Sequence, residues 1–258
     1  MLEAGEPEPF NVIDGRADMP ALIVCDHASN RVPNICDKLG LSRAELSTHF
    51  ALDIGAYKVM RALSERLGLP AVSAAYSRLV VDCNRRLDHP TAFPESMGQV
   101  PVPGNRGLSH FERQVRADAL YWPYHHAVRD RLRALESLAP APALIAIHSF
   151  TPKLHGQTRP WHVGVLWDKD PRMPAALIES LRDLPGVVVG DNEPYSGKSP
   201  FDFTIDHHGE AEGLPHVSIE LRQDLIDNDE GADQWAGVLA EALQPILDDE
   251  KLYVHWAR

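Results

Sequence analysis

The chain has 258 residues, 44% of them apolar and 24% charged, with a formal net charge of -12. That composition is ordinary for a water-soluble globular domain, and a chain of this length buries roughly 70–75% of the surface its unfolded form exposes. It needs no disulfide or structural metal to fold, so a metal implied by its residues is there for chemistry. The negative charge and the lack of a lysine or arginine run exclude a nucleic-acid or anionic-membrane surface, though a few local arginines still permit an anionic small substrate.

The acidic opening MLEAGEPEPF lacks an apolar core and is no signal peptide, and residues 1–20 read as a polar lead-in to a single domain spanning 1–258. ALIVCDHASN then passes from a short apolar strand into polar residues, as a strand does when it delivers side chains to a site at its C-terminal end. Helical spacing of Leu52, Ala56, Val59, Leu63 and Leu67 predicts a helix over 43–67, stopped by Gly68. LPAVSAAYSRLVVDCN holds one or two strands ending at Asp82-Cys83-Asn84-Arg85. Prolines and glycines make 88–107 a long loop of the kind that often carries function.

Residues 109–138 are helical with a break near Pro123. ALIAIHSF, WHVGVLW and GVVVGD are strands, with a helix over 173–183. LPHVSIELRQD is a late strand, and a helix over 231–247 closes the chain. This alternation predicts an α/β sandwich around a mixed, largely parallel sheet. Cys25, Cys36 and Cys83 are odd in number and lack CxxC spacing, so they read as reduced thiols of a cytoplasmic protein. No apolar stretch reaches the roughly 20 residues of a membrane span.

Four predicted strand ends carry groups with chemistry. A catalytic zinc takes three His, Glu or Asp ligands and leaves one position open. His27 and His148 both follow apolar strands and are followed by small or polar residues, which suits either metal ligands or hydrogen-bonded strand-end histidines. Asp53, placed on the predicted helix, is either a third ligand or a helix-surface acid paired with a cation. Glu220 at the end of a half-apolar strand suits a general base beside an activated water, and Arg222 shares its strand face as an orienting partner. Asn84 and Arg85 offer an amide and a fork-shaped guanidinium for a carboxylate, with Arg78 shortly before them. Tyr195, in a Pro- and Gly-fixed turn, lines a pocket or simply builds the loop, and the adjacent His207 and His208 contact substrate or stand idle.

Together CDHASNRVP, LDIGA, SRLVVDCNR, WPYH, AIHSF, NEPYSG and HVSIELRQDLI resemble the N-formylglutamate amidohydrolase family, from about residue 20 to 228 and in order. That family is distantly similar to zinc carboxypeptidases, aspartoacylase and succinylglutamate desuccinylase. The resemblance implies a carboxypeptidase-like sandwich with one zinc ion on His27 and His148, and Glu220 as the catalytic glutamate. It further implies Asn84-Arg85 as a substrate-carboxylate clamp. From the residues themselves, Arg78 is the expected oxyanion stabiliser, and Tyr195 and His208 are expected at the substrate. The expected partner is a carboxylated N-acyl amino acid, first of all N-formyl-L-glutamate. The carboxypeptidase group has an acidic ligand three residues after its first histidine, where this chain has Asn30, and Asp53 is the expected replacement. Other N-acyl-amino-acid deacylases, a zinc carboxypeptidase, or a non-catalytic metabolite-binding protein share these features.

Overall fold

A computed structural model describes residues 1–16, 18–198 and 202–256. Among them seven strands form the main sheet: β1 (Phe10–Ile13), β2 (Ala21–Cys25), β3 (Ala71–Ala74), β4 (Ala143–Phe150), β5 (Val163–Leu166), β6 (Val189–Asp191) and β7 (His216–Arg222). Their spatial order is β1-β3-β2-β4-β7-β5-β6. The central run β3-β2-β4-β7 is parallel, as is β5 with β6, while β1 pairs antiparallel with β3 and β7 antiparallel with β5. The sheet is therefore mixed and largely parallel, as the alternation of helices and strands predicts.

Strand alternation sorts the core into two layers. Ala21, Ile23, Ile145, Ile147, Val217 and Ile219 face α1 (Ala56–Leu67), α3 (Arg172–Arg182) and α4 (Asp229–Leu247). Leu22, Val24, Leu144 and Ala146 face the other layer, which holds α2 (Trp122–Leu135) and the buried parts of the loops. The inner strands β2, β3, β4, β5 and β7 are buried on both faces, which is why they read as near-continuous apolar runs.

Four expectations need correction. The lead-in over 1–20 contains edge strand β1, whose short FNVI run borrows its hydrogen bonds from β3. The predicted helix over 43–67 is two: a single turn at Arg43–Leu46, then α1. Gly55 separates them, because it holds φ at 83° and a side chain there would strike the backbone oxygen of Ile226. The region from Asp82 to Arg85 follows β3 as a loop, since the strand ends at Ala74. The helix around Pro123 does not break. A π-turn at Ala117–Tyr121 widens it just before the proline, which enters α2 where its missing N–H costs little.

Candidate active site

His27 lies just beyond β2, His148 near the end of β4 and Glu220 near the end of β7, three neighbouring parallel strands. The register sets Glu220 opposite His148. By alternation both project from the sheet face away from α1, α3 and α4. Asp53 arrives from the turn before α1, where its backbone N–H donates to the His27 carbonyl at 2.9 Å. The glycine that breaks the predicted helix thus sets Asp53 beside the histidine.

The three side chains meet. Nδ1 of His27 is 3.1 Å and Nδ1 of His148 2.9 Å from the same oxygen, Oδ2 of Asp53. One ligand atom from each residue lies within 4.8 Å of the others, and all three residues are buried. A tetrahedral ion with bonds of about 2.0–2.1 Å spaces its ligands by roughly 3.3 Å, so this spacing and donor set fit a divalent metal. Asn30 takes no part: its Nδ2 donates to the Leu46 carbonyl at 2.9 Å.

The far nitrogen of each imidazole meets a second buried carboxylate. Nε2 of His27 lies 2.8 Å from Asp82 Oδ1, and Nε2 of His148 3.2 Å from Asp26 Oδ2. Such outer partners fix the ring and raise its basicity as a ligand. Asp82 is gripped in turn by Arg78, whose Nε and Nη2 donate to Oδ2 at 3.1 and 2.8 Å. Asp26 Oδ1 accepts from Tyr124 Oη at 2.9 Å and from the Thr204 hydroxyl. The loop carrying Arg78 and Asp82 is pinned from below: Asn105 donates to the carbonyls of Leu79 and Pro94, and buried Arg116 to that of Val80.

These contacts set the charges. Burial opposes ionisation of Asp26, but the close approach of His148 and the two imidazole charges outweigh it and hold the carboxyl at about 2. Asp53 and Asp82 are likewise held low against their burial, chiefly by His27 for Asp53 and by Arg78 for Asp82. Burial lowers the proton affinity of His27 and His148, and the facing carboxylates more than restore it, so both end above the usual imidazole value. Glu220 goes the other way. Burial pushes it up to about 8 against the pull of His148, with Asp53 and Asp202 adding repulsion. Its Oε2 is buried with no hydrogen-bond partner among the described residues.

The triad and Glu220 share the wall of a cleft of about 470 Å³ with His49, Arg78, Asn84, Arg85, Ser149 and Tyr195. That volume is typical of a small-molecule site. Asn84 Oδ1 accepts from the Thr204 N–H at 2.9 Å, and its Nδ2 lies 3.5 Å from His148 Nε2. The predicted loop over 88–107 contributes His89 and Thr91.

Two expectations fail here. Arg222 does not orient Glu220; it donates to Asp224 at 2.8 Å and reaches the carbonyls of Pro160 and Trp161, because β7 ends at Arg222 and its side chain follows the turn outward. His208 is outside the cleft lining, since its π-turn directs Nε2 to Nδ1 of His125 at 3.1 Å. Sequence reasoning left Asp26, His49 and Arg159 without a role, and placed Asp82 at a strand end without giving it one. The signal for Asp26 and Asp82 was an acid at the edge of each motif that supplies a cation or a histidine.

A buried donor triad beside an unpartnered carboxyl, on the wall of a cleft at the ends of parallel strands, is the equipment of a hydrolase. The sequence matches the N-formylglutamate amidohydrolase family model over residues 19–227, and the chain belongs to that family. It is similar to the gene product Atu2144 of Agrobacterium tumefaciens at 35% identity, covering 97% of this chain and 99% of that one, with a TM-score of 0.91. The N-formylglutamate amidohydrolase of Ralstonia eutropha JMP134 shares the fold at 18% identity and a TM-score of 0.71, over 96% of this chain and 100% of that one. No curated protein matches the chain. No helix among the described residues is long and apolar enough to cross a membrane.

Proposed function

We propose that the protein is a zinc-dependent amidohydrolase that cleaves N-formyl-L-glutamate to formate and glutamate. The observation that carries this reading is the buried convergence of His27, Asp53 and His148 beside Glu220, in a chain of this family. Two imidazoles and one carboxylate are the ligand set of a catalytic zinc. When bound, the ion supplies Lewis acidity: it polarises a carbonyl, lowers the pKa of a nearby water and draws Glu220 into its ionised form.

The protein's own groups do the rest. Glu220 takes a proton from the water whose oxygen adds to the formyl carbon, then gives that proton to the amide nitrogen as the C–N bond breaks. Its neighbours His148 and Gly164 across the ladder hold its backbone in place. Arg78, fixed on Asp82 with Nη1 3.5 Å from Asp53 Oδ1, places positive charge at the cleft where negative charge develops on the carbonyl oxygen. Asn84 and Arg85 receive the α-carboxylate of the amino acid. A shell of fixed hydrogen bonds keeps these groups from reorganising during the reaction.

The test is formate release from N-formyl-L-glutamate by wild type and Glu220→Gln. The variant is expected to bind zinc as tightly as wild type and to lose about 10²–10⁴-fold in kcat. Near-wild-type turnover would remove Glu220 from the mechanism, and no formate release by the wild type would remove the activity.

A further inference from the structure

Two arginines are buried to the same degree, each only 7% exposed, and they are treated differently. Arg116 spends its guanidinium on the Val80 and Gly104 carbonyls and on Asn105 Oδ1. Arg159 has no such set. Only its Nη1 is engaged, with Tyr195 Oη at 3.1 Å, Thr151 Oγ1 at 3.4 Å and the Thr151 carbonyl at 3.5 Å. It makes no ion pair with a carboxylate among the described residues, and its Nε and Nη2 have no partner there. Its Cζ lies over two rings, 5.8 Å from the Phe150 centroid and 4.9 Å from that of Tyr195.

A buried cation without a counter-charge is costly, and in a chain of net charge -12 it is unexpected. Arg159 is not itself in the cleft lining, but Tyr195, to which it donates at 3.1 Å, lines the same cleft as Asn84, Arg85 and Glu220, so the guanidinium reaches the cleft through that residue. The two ring contacts and the Tyr195 bond hold the fork in place, with spare donors suited to a planar anion. We infer that Arg159, with the Tyr195 hydroxyl, forms a second anion subsite of this cleft, one that takes the side-chain carboxylate of a dicarboxylic N-acyl amino acid. The inference rests on the function proposed above, with Asn84 and Arg85 at the α-carboxylate. It makes Arg159 a specificity-determining residue: the enzyme selects a second carboxylate as well as an acyl-amino group.

The experiment compares kcat/KM for N-formyl-L-glutamate with that for N-formyl-L-glutamine, its neutral isostere, in wild type, Arg159→Met and Arg159→Lys. Wild type is expected to favour the glutamate compound by on the order of 10²-fold, mostly through KM. Arg159→Met should bring that ratio close to one, and Arg159→Lys, which keeps the charge but loses the fork, should leave it intermediate. If Arg159→Met fails to fold, the lysine variant and the wild-type ratio decide. An unchanged ratio in a folded variant overturns the inference. Equal use of both compounds by the wild type overturns it alone, and use of neither takes the proposed function with it.

Discussion

Asp82→Asn is the sharpest probe of how the site is held, because it alters no proposed ligand. Asp82 Oδ1 sits 2.8 Å from His27 Nε2 while Oδ2 receives two bonds from Arg78. Asparagine keeps the shape but loses the charge, and presents an amide N–H to one of those donors. Outer carboxylate partners of metal-bound histidines contribute about 10–100-fold to affinity, or about 1.4–2.7 kcal/mol. A second cost falls on the fold. Breaking a buried pair costs about 3–5 kcal/mol, and the Arg78 side chain keeps 21% of its exposure, so about 2–4 kcal/mol is expected after solvent screening. Competition for zinc against a chromophoric chelator reads the first quantity and urea denaturation of the metal-free protein the second. Asp88→Asn is the control, since its partnership with Arg86 is on the surface. Zinc affinity within twofold of wild type in a folded Asp82→Asn protein would refute the claim that this carboxylate tunes His27.

Two further outcomes follow from the same geometry. The metal-free protein should lose stability as pH rises above about 6.5. His27 and His148 are raised in the fold, so their contribution is complete below the unfolded imidazole value and vanishes as pH climbs through the folded ones. Glu220, raised to about 8, acts in the same sense from its unfolded value upward. Zinc affinity should rise over the same range, because the ion displaces those protons, and a denaturation midpoint flat or rising with pH contradicts the charge assignment. Gly55→Ala should destabilise the fold by at least about 2 kcal/mol and weaken zinc binding, since the φ of 83° and the contact with Ile226 leave no room for a Cβ beside Asp53. A change below about 0.5 kcal/mol in the denaturation midpoint would show that the turn adapts.

Most of the sheet was legible because its inner strands are buried on both faces and stand out as apolar runs. His27, His148 and Glu220 were legible because each follows or ends such a run, and the structure brings all three to one end of the sheet. Asp53 was legible as a candidate ligand but on the wrong element. Periodicity carried the helix through residues 47–55, where only the left-handed Gly55 and its contact with Ile226 reveal a turn. Asp26 and Asp82 escaped notice because their roles depend on which imidazole nitrogen faces them, and only the packed rings define that. Arg159 escaped because nothing local marks it; its meaning lies in a burial without a carboxylate partner among the described residues. His208 and Arg222 were read from adjacency, and the π-turn and the end of β7 redirected both.

The central claim is tested most directly by anomalous diffraction from zinc-loaded crystals. The account predicts a single strong peak about 2.0–2.1 Å from Nδ1 of His27, Nδ1 of His148 and an oxygen of Asp53, with Glu220 beside it and unbound. A peak coordinated through Nε2 of either ring, or located away from these three residues, would contradict it.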